Sequence, residues 1–155
     1  MAEHVVGVIS DTHGLIRPQA LKALRGSEHI VHAGDIGAPA VLEALAAIAP
    51  VTAIRGNNDR DAWARQLPEA TAVEVHGTWL YIVHDVHDLD LDPRAAGFAA
   101  VISGHSHKPA IAERNGALFV NPGSAGPRRF ILPIAVARLY VGAGKARAEV
   151  VILQP

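Results

Sequence analysis

Val5-Val6-Gly7-Val8-Ile9, followed at once by Ser10-Asp11-Thr12-His13-Gly14, is the stretch from which the fold of this 155-residue chain can be worked out. The apolar run is typical of a buried parallel strand, and the polar residues begin where that strand ends. Ligands of open α/β sheets bind outside the carboxyl ends of the strands. Asp11 and His13 lie two residues apart on the predicted loop, so both can turn toward one point. Taken alone, the pair also fits a turn residue beside a surface histidine.

Polar clusters of the same kind follow four later strand-like runs. Each cluster comes directly after apolar residues; the four are Gly34-Asp35, Gly56-Asn57-Asn58-Asp59, His84 and Gly104-His105-Ser106-His107. Five polar clusters at five strand ends are expected to converge on one edge of a sheet. Their mixture of carboxylate, amide and imidazole groups suits a pair of borderline divalent cations.

The order of these clusters resembles that of the calcineurin-like metallophosphoesterases. The short length and the later Asn121-Pro122-Gly123-Ser124 resemble the small bacterial and archaeal phosphodiesterase branch, whose fold the eukaryotic retromer subunit Vps29 shares. The resemblance implies a metal-dependent phosphodiesterase. Two alternatives are a phosphomonoesterase of small phosphorylated metabolites and a catalytically weak, Vps29-like binding scaffold. Because every expected ligand position is filled, the enzyme is favoured over the scaffold.

The resemblance also implies which residues hold the two cations. One cation would be bound by Asp11, His13, Asp35 and His107, and the other by Asp35, Asn57, His84 and His105. Asp35 would bridge them, since a carboxylate has two oxygens, and a metal-bridging hydroxide would attack the phosphorus. Mn²⁺ or Ni²⁺ is expected, with Fe or Zn as further candidates. Two carboxylates leave roughly two positive charges for a hydroxide and a phosphoryl group, which favours an anionic substrate.

The chain departs from the family pattern at two positions. The family has a histidine where this chain has Asn58, and an amide cannot serve as an acid near neutral pH. Asp59, the usual partner of that histidine, is expected to fix the loop. After His84 the family usually has glycine, whereas this chain has Asp85. His87 is therefore an open case: either a catalytic or supporting group at the site, or an exposed loop histidine.

Three arginines and one further histidine complete the candidate site. Arg55, Arg128 and Arg129, together with Asn58, are candidates for binding a substrate phosphate, although the arginines also fit a solvated surface. His32 precedes the Gly34-Asp35 cluster inside a strand and is interpreted as a core or supporting histidine.

Composition limits the other function classes. Residues 1–155 are predicted to form one domain, and half of the residues are apolar. A net charge of −1 gives no electrostatic reason to expect binding to nucleic acid or an anionic membrane. The absence of cysteine excludes disulfides and thiolate metal sites. No apolar run reaches the roughly 18 residues of a membrane span. A cytoplasmic protein acting on a small phosphodiester is expected, and a homo-oligomer is compatible with the sequence.

The order of predicted elements indicates the fold class. Strands alternate with helices at residues 17–26 and 38–49, which favours a parallel sheet. The second half reads mostly as strands, with a short helix at 92–97 and a tight turn at Asn115-Gly116. The prediction is an α/β protein with four layers, an α/β/β/α sandwich of two mixed sheets flanked by helices.

Overall fold

The computed structural model describes residues 3–153, which form two five-stranded mixed sheets. The first sheet has the strand order β10-β9-β1-β2-β3. Its strands are β1 His4–Ile9, β2 His29–His32, β3 Val51–Ala53, β9 Ala135–Gly142 and β10 Lys145–Ile152. The second sheet has the order β4-β5-β6-β8-β7. Its strands are β4 Ala70–Val75, β5 Thr78–Val83, β6 Ala100–Ile102, β7 Ala110–Arg114 and β8 Ala117–Asn121.

Parallel pairing sets the direction of the central strands. In the first sheet β1, β2 and β3 run parallel, and helices α1 (Pro18–Leu24) and α2 (Pro39–Ala46) connect them. Both helices begin with proline, which lacks an N–H and suits the first turn. In the second sheet β5, β6 and β8 run parallel, while β4 and β7 pair antiparallel at the edges. The carboxyl ends of β1, β2 and β3 therefore meet at one edge of their sheet.

The hydrophobic core lies on both faces of the first sheet. One cluster fills the space between the sheets and includes the fully buried Val6, Leu80, Ile82 and Leu139. The other lies between the first sheet and the helices, and Leu24 and Leu45 belong to it. Burial on both faces explains why the central strands are continuous apolar runs.

The prediction of a fourth, helical layer was wrong. Within residues 3–153, all three α-helices belong to the side of the first sheet, including the short α3 (Ala62–Arg65). Residues 92–97 form consecutive turns because Gly97 takes a φ of +90° and Phe98 then packs against Tyr81, with ring centroids 5.2 Å apart. The outer face of the second sheet, which carries Trp79 and Tyr81, is covered only in part, since Trp79 remains 45% exposed. The segment after β5 forms the 3₁₀ helix Val86–Asp88.

Two further expectations can be compared with the fold. The tight turn at Asn115-Gly116 is confirmed, with φ values of 51° and 83° that suit the preferred hairpin turns. None of the helices formed by residues 3–153 is both long and apolar enough to span a bilayer.

Candidate metal centre

The five polar clusters lie on loops that follow β1, β2, β3, β5 and β6, and each of these loops carries a residue in direct contact with Asp11 or Asp35. Five of the predicted ligands have a left-handed backbone: Asp11, His13, Asp35, His105 and His107, with φ between 48° and 71°. Only a few per cent of non-glycine residues take this conformation, and they concentrate at functional sites. The loops thus turn sharply where the donor side chains emerge.

Asp11 is fully buried at the centre of the site. Its Oδ2 accepts hydrogen bonds from Ser10 Oγ at 2.7 Å and from the backbone N–H of His105 at 3.0 Å. Its Oδ1 has no hydrogen-bond partner and lies 3.4 Å from His107 Nε2 and 3.9 Å from His84 Nε2. One carboxylate oxygen is therefore held by the protein, and the other faces two imidazoles.

The site has two halves, one with His13 and His107 and the other with His84 and His105. Asp35 lies between them. Its Oδ2 is 3.3 Å from His84 Nε2 and 3.9 Å from His13 Nε2. Asn58 donates to this carboxylate twice, from its backbone N–H to Oδ1 at 2.9 Å and from Nδ2 to Oδ2 at 3.1 Å. Burial alone would raise the pKa of Asp35, but these hydrogen bonds and the neighbouring histidines lower it to about 2. The group is a carboxylate at any physiological pH.

The tautomer of His84 is fixed by the strand beside it. Nδ1 lies 2.7 Å from the carbonyl oxygen of Ala33, which can only accept, so Nδ1 carries the proton. Nε2 then keeps its lone pair and points toward Asp11 and Asp35. A backbone carbonyl behind an imidazole is the arrangement that orients metal-binding histidines in proteins. Burial is the largest influence and lowers the pKa of His84, but the Asp35 and Asp11 carboxylates and the Ala33 carbonyl together outweigh it, and the net shift is upward.

The histidine rings within each half of the site contact one another. The His13 and His107 rings stack with centroids 5.5 Å apart, and the His84 and His105 rings meet edge to face at 5.2 Å. Asp11, His13 and His107 bring one donor atom each to within 4.8 Å of the others, as do Asp11, Asp35 and His84. The two groups share Asp11, and Asp35 also lies between the two halves.

Unsatisfied polar atoms concentrate at this place. Within residues 3–153, six buried side-chain nitrogen or oxygen atoms lack a hydrogen-bond partner. Four of them belong to the site: Asp11 Oδ1, His13 Nε2, His84 Nε2 and His107 Nδ1. Leaving such atoms unpaired is costly, so a cluster of them indicates a ligand. Carboxylate and imidazole donors fit divalent cations, and the residues present therefore suit a metal centre.

Close backbone approach brings the ligand loops together. A Cβ on Gly56 would lie 2.2 Å from Asp35 Oδ1, and a Cβ on Gly104 would lie 2.6 Å from Asp11 Oδ2. The loop Asn121-Pro122-Gly123-Ser124 supports them from outside: Asn121 Nδ2 donates to the Gly104 carbonyl at 2.9 Å and Ser124 Oγ to the Asp11 carbonyl at 3.0 Å.

Asp59 and His32 hydrogen-bond to the loops that follow β1, β2 and β3 and hold these loops together. The Asp59 carboxylate accepts the backbone N–H groups of Ile36, Gly37 and Gly56, which joins the loop after β3 to the loop after β2. His32 is fully buried; its Nδ1 accepts from Gly34 N–H at 3.1 Å and its Nε2 lies 3.0 Å from Thr12 Oγ1. Burial, aided by His84, lowers the pKa of His32 to about 3.

The neutral state of His32 has a consequence for stability in acid. Between pH 6.5 and 3 the unfolded chain binds a proton that the folded imidazole does not, so stability falls as pH falls, by about 1.4 kcal/mol per unit from this group. In metal-free protein, the free energy of unfolding of wild type should therefore drop relative to His32→Gln over this range. Urea unfolding at a series of pH values, with chelator present, measures it. Parallel curves for the two proteins would contradict the expected role.

Three predicted groups do not reach the cavity beside the metal centre. The cavity measures about 510 Å³ and is lined by Arg55, Gly56, Asn57, Glu69, Ala70, Tyr81, Val83, His84, Asp85, Asp88, Asp90 and His105. His87 is 89% exposed and lies outside it, held by Asp85 Oδ1 at 2.9 Å. Arg128 and Arg129 are exposed outside it as well, although the charge of Arg129 adds to burial in lowering the pKa of His107.

Asn57, Asn58 and Arg55 lie at the centre or its rim. Asn57 lines the cavity beside His84, and Asn58 contacts Asp35 as described. Arg55 lines the cavity but is paired with Glu69 at 3.2 Å.

Sequence reasoning missed the acidic wall of this cavity. Asp85, Asp88 and Asp90 line it, and Asp85 Oδ2 lies 3.7 Å from His105 Nε2. The signal was present in the sequence, because the acidic run begins directly after His84 where the family usually has glycine. In the sequence Asp85 stands out only as a departure from the family pattern, and nothing in the spacing indicates that it lines a cavity with Asp88 and Asp90.

Known proteins resemble this chain in sequence and in fold. A family model described as the calcineurin-like phosphoesterase superfamily domain matches residues 5–144. A probable metallophosphoesterase of Methanothermobacter thermautotrophicus is 33% identical over 159 residues, covering 95% of this chain and 91% of that protein.

Two solved structures share the fold. An archaeal phosphodiesterase superposes with a TM-score of 0.77 at 22% identity, covering 95% of this chain and 99% of that one. Vacuolar protein sorting 29 of Cryptosporidium parvum superposes with a TM-score of 0.76 at 20% identity, covering 96% and 97%. At these identities the two structures show the architecture alone.

Proposed function

The chain belongs to the calcineurin-like phosphoesterase superfamily, and from that premise we propose that it hydrolyses small phosphodiesters at a centre of two divalent cations. The observation that carries the proposal is the cluster of unpaired buried donor atoms from Asp11, His13, His84 and His107. Asp35, Asn57 and His105 complete the proposed ligand set. Mn²⁺ or Ni²⁺ would suit these donors, with Fe and Zn as alternatives.

Each side chain has a definite task in this proposal. Bound cations would polarise the phosphoryl oxygens and lower the pKa of water. The buried Asp11 presents its unpaired Oδ1 to the centre, and Asp35 supplies negative charge there because its neighbours lower its pKa to about 2. His84 presents an unprotonated Nε2 because the Ala33 carbonyl holds the proton on Nδ1. Asn58 holds Asp35 through two hydrogen bonds and remains near enough to the centre to donate to a phosphoryl oxygen.

The acidic wall favours a diester over a monoester or a polyanion. Asp85, Asp88, Asp90 and Glu69 line the cavity, and the one arginine there is already paired with Glu69. A monoester carries about two negative charges at neutral pH and a diester one, so repulsion by the wall disfavours the monoester. An oligonucleotide would bring further phosphates against the same carboxylates. These charges support a small, singly charged phosphodiester as the substrate.

A substrate panel tests the proposed function. Metal-loaded protein should turn over bis-nitrophenyl phosphate with a kcat/KM at least about tenfold above that for nitrophenyl phosphate, the ratio that 1.4 kcal/mol of repulsion produces. Chelator should remove the activity, and an oligonucleotide should be a poor substrate. Faster hydrolysis of the monoester would indicate a phosphomonoesterase. No turnover with Mn²⁺, Ni²⁺, Fe²⁺ or Zn²⁺ would favour the scaffold.

The leaving group should matter strongly because Asn58 cannot donate a proton to it. General acid catalysis contributes roughly 10²–10⁴-fold where the leaving group is a poor one. We therefore expect kcat/KM to fall steeply along a series of diesters as the pKa of the departing alcohol rises. Asn58→His should flatten that dependence, with Asp59 as the neighbouring carboxylate.

His87→Ala is the comparison that decides the question. His87 lies outside the cavity, so its removal should leave the steep dependence unchanged. A flat series in wild type that becomes steep in His87→Ala would identify His87 as the acid and contradict the assignment.

A further inference from the structure

A second cluster of metal-binding side chains lies at the amino ends of the strands. His4 begins β1, Glu28 directly precedes β2, and His76 lies in the two-residue turn that precedes β5. The carboxyl ends of these same strands lead to Asp11, Asp35 and His84. His4 and Asp11 are seven positions apart in the chain, so the two clusters lie roughly 20 Å apart along the strand.

The donor atoms of this cluster already face one another. His4 Nδ1 lies 2.7 Å from Glu28 Oε2, and His76 Nε2 lies 3.6 Å from Glu28 Oε1. The two imidazole rings stack with centroids 3.4 Å apart and an interplanar angle of 11°, so both present a nitrogen to the same carboxylate. One donor atom from each residue falls within 4.8 Å of the other two.

We propose that His4, Glu28 and His76 form a separate metal site that takes Zn²⁺ or a similar borderline divalent cation. Two imidazoles and a glutamate are a known donor set for Zn²⁺, and ligands about 2.0–2.2 Å from a tetrahedral ion stand about 3.4 Å apart. The separations of 2.7 and 3.6 Å in this cluster lie on either side of that spacing. Side chains that are 26%, 46% and 49% exposed leave room for ion entry and for a water in the fourth position.

The backbone holds the three residues in place before any ion binds. The Glu28 N–H donates to the Val5 carbonyl at 2.9 Å, which fixes Glu28 beside the start of β1. His76 and Gly77 form a tight hairpin turn with φ values of 47° and 77°, closed by the pairing of Val75 with Thr78. The backbone positions are thus set before binding, which favours affinity. The stacked imidazole rings must still tilt apart so that both lone pairs point at one ion.

The site would join the two sheets at the edge opposite the catalytic centre. His4 and Glu28 belong to the first sheet, and His76 belongs to the β4–β5 hairpin of the second. A bound ion would therefore act on the stability of the sheet packing, while the residues that contact substrate stay unchanged. The role is structural and independent of the proposed hydrolysis.

Calorimetric titration with Zn²⁺ tests the site through the number of ions bound. His76→Asn removes the imidazole but suits the left-handed turn, because asparagine is favoured there. His76→Asn and Glu28→Gln should each bind one equivalent fewer than wild type. Glu43→Gln is the matched control: it removes an exposed carboxylate of α2 that belongs to none of the clusters within residues 3–153, and it should bind as wild type does.

Thermal unfolding and activity distinguish this site from the catalytic one. Zn²⁺ should raise the Tm of the catalytic-site variant Asp35→Asn by about 3 °C or more and raise it less in Asp35→Asn/His76→Asn. His76→Asn alone should hydrolyse a diester with Mn²⁺ at the wild-type rate. Equal numbers of bound Zn²⁺ in wild type and His76→Asn would overturn the proposal and leave an ordinary imidazole–carboxylate contact.

Discussion

Asp35→Asn is expected to lose nearly all diester hydrolysis together with most of the bound metal. Asp35 Oδ2 lies between His84 and His13, so in the proposed centre replacing one oxygen by an NH₂ group would remove a ligand from both halves. Loss of groups that merely support a ligand costs about 10–100-fold, so loss of the shared ligand should cost on the order of 10³-fold. Metal content by elemental analysis and kcat/KM measure the two effects.

The control for this variant makes the same chemical change elsewhere. Asp61 is exposed and its side chain makes no capping hydrogen bond to α3, so Asp61→Asn should keep both metal and activity. Circular dichroism establishes that both variants are folded. Full metal content and full activity in Asp35→Asn would show that Asp35 is not the bridge, and Asp11, which also lies between the two halves, would be tested next.

Gly56→Ala is expected to inactivate the protein without unfolding it. The added Cβ would lie 2.2 Å from Asp35 Oδ1 and 2.4 Å from the Asp35 backbone nitrogen, so the loop carrying Asn57 must move. A misplacement of about 1 Å can cost 10²-fold in rate, whereas overpacking costs about 1–3 kcal/mol of stability. Activity should therefore fall by roughly 10²-fold or more while the protein still unfolds cooperatively.

Gly97→Ala separates steric contact from backbone strain. Gly97 has a φ of +90° with no atom within 4 Å of an added Cβ, so this variant meets strain without a clash. It should lose some stability and keep its activity. Equal activity in Gly56→Ala and Gly97→Ala would mean that the loop after β3 tolerates displacement, contrary to the close fit with Asp35.

The convergence of the strand ends could be predicted because two simple patterns agree. Apolar runs mark buried strands, and the polar residue after each run marks its carboxyl end. Asp11 and Asp35 follow parallel neighbours in the first sheet, so their meeting follows from topology. His84 and His105 come from the second sheet, and their approach depends on how the sheets pack, which the resemblance to a family indicated and periodicity could not.

The incorrect helix prediction at residues 92–97 and the open orientation of His87 both have local physical causes. The segment 92–97 has a capping aspartate and good helix formers, yet Gly97 and the packing of Phe98 on Tyr81 end it after one turn. The sequence leaves the orientation of the His87 side chain open, because its position in a loop three residues after His84 does not determine which way it points. In the structure the Asp85 carboxylate holds both the backbone N–H and the ring of His87 away from the cavity. The left-handed backbone at five of the predicted ligands has no sequence signal of its own.

The hydrogen bond from His105 N–H to Asp11 joins residues 94 positions apart in the chain. During synthesis the loops bearing Asp11, His13 and Asp35 exist well before His84, His105 and His107 have been made. Contacts of such long sequence separation form late in folding, because closure of the intervening loop must come first. A cation that needs donors from both sheets can be held tightly only by the finished fold, so newly made chain would not trap metal on half of the centre.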